Sequence, residues 1–401
     1  MSKIQLYQSC GKMRFGYFVL LILVNFFYTQ GSWAQVVTNV SVDKDLGHVS
    51  WMVDGTPWYV VFEIEPYFEN AIPVISIDLE TRNEAQLGEV DNNCFYRGSL
   101  SDMNWHPIEN TYAFFNFCNG DLPFSGFVSD VSIVYRIEGE QNVPGDLLML
   151  VDDPTLSHYV LADSANSDNG GNGSGQVIKP ETQIERNSTP ADFPSVEFLI
   201  DPSFKDKFGD PGYIHRAIST LAFSNFIYEQ NDMKAATLIS INVLNSTLNN
   251  NGGIGAIKHQ LQNLRRDTVQ PKSGDVSILL LGSPIDSTYT WGWGIENNAC
   301  DLQIAVNEGK NINTAEVGRS AAFFIDLPSL VQRGWIFAHE LGHVIGASKH
   351  IDGDPLMDGW FLYIQSLAGY VAGCEAITQI YESCEYDSKS KKVTDFYECP
   401  E

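Results

Sequence analysis

The pattern of apolar and polar positions divides the chain into two differently built regions. In the first, residues 58–64 and 128–135 are apolar, aromatic and β-branched, and turn pairs such as Asp54-Gly55 and Asn119-Gly120 punctuate them. Short runs of that kind between turn residues predict strands. In the second, residues 196–200 and 276–281 are continuous apolar runs bounded by polar or turn residues, the pattern of buried strands. Between them Ile214, Ile218, Leu221 and Asn225, with Ala217 and Ser224 alongside, form a mostly apolar stripe at helical spacing. Strand and helix in alternation predict an α/β domain here.

Residues 163–190 interrupt this patterning. They include Asn169-Gly-Gly-Asn-Gly-Ser-Gly175, are dominated by Gly, Ser and Asn, and lack apolar periodicity, so they read as a flexible linker. The expected organisation is therefore a β-rich region over 35–162, a linker over 163–192 and an α/β region over 193–401. No internal repeat is evident.

The first 34 residues have a different character. A basic stretch ending at Arg14 precedes an apolar run over 15–28, and Ser32-Trp33-Ala34 places small residues at the −3 and −1 positions before Gln35. This is the layout of a cleaved secretory signal. The run is shorter than the ~20 residues that span a bilayer as a helix. The expectation is a secreted, extracellular chain with no membrane anchor once residues 1–34 are removed.

Composition narrows the partners. With 44% hydrophobic and 18% charged residues, the chain has the makings of a core and is not of the disordered class. Lys and Arg total 24 against 50 Asp and Glu, a net charge of −26. Such a balance disfavours nucleic acid and anionic lipid, both polyanions. Cys10 leaves with the signal, and Cys94, Cys118, Cys300, Cys374, Cys384 and Cys399 remain. An even number in a secreted chain suggests three disulfides, and six cysteines allow fifteen pairings. Asn39, Asn172, Asn187 and Asn245 each begin an N-x-Ser/Thr sequon, consistent with passage through a glycosylating compartment.

The chemistry concentrates in His339-Glu-Leu-Gly-His-Val-Ile-Gly-Ala-Ser-Lys-His350. On a helix, positions i and i+4 project from one face, so His339 and His343 can present ring nitrogens to one metal ion. Glu340, beside the first ligand, can reach a water without itself ligating. Leu330, Val331, Ile336 and Phe337 suit a helix buried in a core, and Asp326 and Pro328 are its expected start signals. By chance the pentapeptide arises in roughly one chain per hundred of this length. Gly346 as a helix terminator, a third histidine just beyond it and Met357 make chance a poorer account. The other five histidines (His48, His106, His158, His215, His259) stand alone and read as ordinary surface or core residues.

Residues 339–357 resemble the metzincin pattern His-Glu-x-x-His-x-x-Gly-x-x-His followed by a Met-turn, to which Met357 corresponds. The wider chain is similar to the adamalysin/reprolysin (ADAM-like) branch. Ser195-Val-Glu-Phe-Leu-Ile-Asp201 looks like its first catalytic-domain strand, Asp275-Val-Ser-Ile-Leu-Leu-Leu-Gly282 its central strand, and the stretch from Cys300 to Val306 its edge strand. Gly373-Cys374 with Ile377 resembles the late cysteine and helix. Upstream, Cys94-Phe-Tyr-Arg-Gly98 and Cys118-Asn-Gly120 resemble the paired cysteine motifs of the reprolysin propeptide.

The resemblance implies an α/β (α+β) metzincin catalytic domain with a zinc-binding active-site helix, preceded by a β-rich pro-domain. It implies one catalytic Zn²⁺ and protein or peptide substrates; the sequence assigns no Ca²⁺ site. It also favours Cys94 pairing with Cys118, and Cys300–Cys399 with Cys374–Cys384. Three features depart from the family. Its third-ligand position is here Lys349, and an ammonium has no lone pair for zinc. That leaves His350 as third ligand, with Asp352 as a carboxylate alternative or no third ligand at all. No cysteine lies between Cys118 and Cys300 to hold a latent site, and the linker has no dibasic site, since Arg265-Arg266 falls in the second region. The expected activity is that of a zinc metalloendopeptidase, with His339, His343 and His350 as ligands and Glu340 as base. A binding protein without catalysis is the competing reading.

Overall fold

The computed structural model describes residues 34–109, 111–118, 122–129, 133–139, 147–152, 194–229, 235–248, 253–268, 274–283, 292–294, 299 and 321–345. The N-terminal part contributes strands β1 (Ala34–Asp43), β2 (His48–Val53), β3 (Thr56–Phe62), β4 (Ile72–Ile77), β5 (Glu84–Val90), β6 (Phe95–Leu100), β7 (Tyr112–Asn116), β8 (Ser125–Ser129), β9 (Val134–Gly139) and β10 (Leu147–Val151). Eight of these close into a barrel in the order β1-β10-β9-β8-β7-β6-β3-β2, each adjacent pair antiparallel. Alternation aims the side chains: in β2, Val49, Trp51 and Val53 are buried while His48, Ser50 and Met52 are half-buried. The β2–β3 hairpin turns through Asp54 and Gly55, both at positive φ (49° and 77°), as a two-residue turn that matches strand twist requires. A disulfide between Cys94 and Cys118, with Cα atoms 5.1 Å apart, ties the start of β6 to the end of β7.

Further along the chain come β11 (Ser195–Ile200), β12 (Thr237–Leu244), β13 (Val276–Leu281), β14 (Gly292–Gly294) and β15 (Ala321–Ile325). Four helices accompany them: α1 (Pro202–Phe208), α2 (Gly212–Glu229), α3 (Gly253–Thr268) and α4 (Leu330–Ile345). The sheet runs β14-β15-β13-β11-β12-β4-β5. β15, β13, β11, β12 and β4 are mutually parallel, and β14 and β5 add antiparallel at the two ends. β11, β13 and β15 are buried throughout, as expected of strands covered on both faces. One face packs Phe198, Ile278 and Phe324 under α2 and α4. The other packs Leu199, Leu279 and Phe323 against Ile257, Leu261 and Leu264 of α3.

This arrangement corrects the expected fold. The chain is not an α/β metzincin catalytic domain preceded by a β-rich pro-domain: strands predominate, eight of them close a barrel, and four helices are described. The α/β expectation rested on the second region read alone. Residues 72–90 leave the barrel between β3 and β6 and join the second sheet, where Val74 lies opposite Ile241. The physical reason lies in β4, whose Ile72 and Val74 enter one core and Ile77 the other. A strand apolar on both faces needs cover on both, which the second sheet provides. The exposed, acidic β5 then closes that end with charge, which blunts an open edge. The barrel shares a core with the helices too: Phe127 meets Phe223 at 5.4 Å and Tyr112 meets Phe226 at 4.7 Å between ring centroids.

The 58–64 strand is β3, ending at Phe62, and 128–135 divides between β8 and β9. The 196–200 and 276–281 strands lie in β11 and β13, and the apolar stripe lies on α2. No helix among the described residues is long and apolar enough to cross a membrane.

Candidate metal centre

α4 is buried along its whole length, and three kinds of contact hold it. Its N-terminus is capped by Ser329, whose Oγ accepts the N–H of Gln332 at 3.2 Å. The Asp152 carboxylate, just past β10, accepts the N–H of Leu330 at 2.5 Å and that of Val331 at 3.4 Å. Such caps satisfy N–H groups that have no partner within the helix. The expected start signal Asp326 is used otherwise: it accepts from Arg216 at 2.6 and 3.0 Å and from Lys207 at 3.2 Å. Along the helix, Gly334 lets α2 approach closely, since a Cβ there would meet Phe223 Cδ1 at 2.6 Å. Tyr228 Oη donates to the carbonyl of Ala338 at 2.6 Å, pinning the turn that precedes the first histidine.

On this fixed helix the i, i+4 spacing brings His339 and His343 together. Their ring centroids lie 4.8 Å apart at an interplanar angle of 85°, and Trp335 packs on His339 at 5.3 Å. His339, Glu340 and His343 are 5%, 3% and 1% exposed. Each offers one ligand atom, and these atoms all lie within 4.8 Å of one another. Two nitrogens bound tetrahedrally at the usual ~2.1 Å would sit about 3.4 Å apart, inside that limit. The donor set fits zinc, for which imidazole is a favoured ligand. A second cluster, Asp91 with Cys94 and Cys118, is no metal site, because its two sulfurs are consumed by the disulfide.

The remaining expected residues are placed less fully. His350, Asp352, Met357, Cys300, Cys374, Cys384, Cys399, Asn172 and Asn187 lie outside the described residues, as do residues 301–306 of the expected edge strand. Asn39 in β1 and Asn245 after β12 are both exposed. Asn245 Oδ1 accepts the N–H of Leu79 at 3.0 Å, which ties the turn between β4 and β5 to the end of β12. A cavity of about 600 Å³ opens away from the histidines, lined in part by Tyr67, Arg97, Asn225 and Glu229. There Arg97 pairs with Glu63 at 2.6 Å and Glu229 at 3.3 Å, a contact between barrel and α2. Burial raises the Glu229 carboxyl above its ordinary range, and Arg97 opposes that shift.

Two features of the site were not anticipated. Asp152 has no motif to reveal it. β14, Gly292-Trp293-Gly294, borders the turn of α4 that carries Glu340 and His343 and is the end strand of the sheet among the described residues. Its signal was in the sequence, since two glycines two apart in a strand bare one face.

No known family matches the chain, and no curated protein does. Among solved structures, the chain is similar to metalloproteinase-II from Bacteroides fragilis, at 12% identity and a TM-score of 0.41, over 82% of this chain and 87% of that one. It is also similar to a chaperone–substrate complex, at 15% identity and a TM-score of 0.32, over 48% of this chain and 34% of that one. At these scores neither likeness assigns a role to any residue.

Proposed function

We propose that this chain is a secreted zinc-dependent endopeptidase that hydrolyses peptide bonds in proteins. The observation that carries the reading is the convergence of His339, Glu340 and His343, buried on one turn of a firmly held helix. The layout of residues 1–34 supports secretion. His339 and His343 would hold the ion, and His350 is proposed as the third ligand because its imidazole follows the helix within a few residues. Bound zinc supplies Lewis acidity toward the scissile carbonyl. Glu340 takes a proton from the water whose oxygen bonds to the carbonyl carbon. It then delivers that proton to the leaving nitrogen as the C–N bond breaks. The buried setting strengthens these electrostatic effects relative to water.

The test is Glu340→Ala in the zinc-loaded protein. The variant is expected to keep one zinc per chain and to lose peptide cleavage by about a hundredfold or more. The parent's cleavage should be abolished by phenanthroline. Cleavage by Glu340→Ala at the parental rate, or a parent that holds zinc but cleaves nothing in a peptide library, overturns the reading.

A further inference from the structure

β14 is antiparallel to β15, with Trp293 opposite Phe323. Trp293 packs on Phe323 at 5.8 Å between ring centroids and beneath Lys258 Nζ at 4.4 Å. Period two puts Gly292 and Gly294 together on the opposite face, and that face meets the catalytic turn. A Cβ at Gly292 would fall on the Glu340 side chain: its nearest atoms are Oε1, Cγ at 2.7 Å and Cδ at 2.8 Å. A Cβ at Gly294 would fall on the backbone carbonyl of Glu340 and lie 3.0 Å from His343 Cβ. Neither glycine has positive φ, so both positions call for space and not for unusual backbone.

The two clashes differ in kind. At 294 the obstacle is helix backbone, which moves only if strand and helix separate. At 292 it is the Glu340 side chain from Cγ outward, which can change rotamer without separating strand and helix. We propose that Gly292 is a positioning residue for Glu340: its bare backbone leaves the space in which the carboxylate rests beside the two histidines. This rests on the reading of Glu340 as the base. Any side chain at 292 turns the carboxylate out of position while leaving both imidazoles in place, and a displacement of about 1 Å at a catalytic group can cost on the order of a hundredfold in rate.

The experiment is a double-mutant cycle of Gly292→Ala and Glu340→Ala in the full-length zinc-loaded protein, read by zinc content, Tm and, where the parent cleaves, kcat and KM. Gly292→Ala alone is expected to keep zinc, lower kcat about a hundredfold with KM nearly unchanged, and lower Tm by no more than about 4 °C. In the Glu340→Ala background the added methyl enters vacated space, so Gly292→Ala should no longer lower Tm, and the two changes should be non-additive. Gly294→Ala should lower Tm more than Gly292→Ala in either background. Parental kcat in Gly292→Ala, or Tm effects that simply add, overturn the proposal. An inactive zinc-bound parent would fail the peptidase reading alone, and the Tm cycle would still decide the role of Gly292.

Discussion

Asp152 and Leu330 stand 178 positions apart in sequence and share one hydrogen bond, the helix's first N–H donating to a carboxylate at the end of the barrel. The same carboxylate lies 3.3 Å from Arg136 Nε of β9. The barrel therefore does more than pack beside α4, the helix that carries His339 and His343: it supplies part of its N-terminal cap. Because the helix is fixed here and at Tyr228, the histidine pair inherits its position from both parts of the molecule.

Asp152→Ala removes that cap and leaves the half-buried Arg136 with Glu138, at 3.0 Å, as its described ion-pair partner. The expected loss is about 2 kcal/mol, at the upper end for a helix cap, read from urea unfolding followed by far-UV circular dichroism. An unchanged midpoint would mean that Ser329 caps α4 unaided.

The third ligand is open to a direct comparison. His350→Ala is expected to weaken zinc binding greatly, and Asp352→Ala to leave it nearly intact, in competition with a chromophoric chelator. The four residues from Gly346 to His350 extend to roughly 13 Å, so reach does not limit the choice. Deleting Lys349 should retain zinc. Tight binding by His350→Ala with loss in Asp352→Ala assigns the carboxylate instead.

His215, on α2 with its ring 6.3 Å from that of Phe95, gives a pH signature. Burial pushes its imidazole down from 6.5 to about 4. Between those values the unfolded chain binds a proton that the folded chain does not, so this residue's contribution to stability falls as pH drops from about 6.5 toward 4. His215→Gln should therefore lose less stability than the parent between pH 7 and pH 5. Parallel losses in the two proteins would show that the imidazole does not titrate in that window.

The site's local half was legible because helix geometry is local. His339 and His343 four apart, with Glu340 between them, specify one buried turn wherever that helix is packed. The strands over 196–200 and 276–281 were legible for a related reason: an unbroken apolar run has to be covered on both faces. The start of α4 was misread at Asp326, because a cap is assigned by what an oxygen faces. Asp326 faces Arg216 and Lys207.

By itself the sequence determined the turn that joins His339, Glu340 and His343 and the turn at Asp54-Gly55, each set by residues within a few positions of one another. Only the tertiary structure decided that residues 72–90 complete the second sheet, that a closed barrel abuts the helices, and that Asp152 caps α4. It also decided that β14 runs bare against Glu340. Each of these is a pairing between segments tens to hundreds of residues apart. Strand partners and caps of that kind are chosen by which exposed edge or unsatisfied N–H remains to be covered, a property of the assembled core that no local pattern encodes.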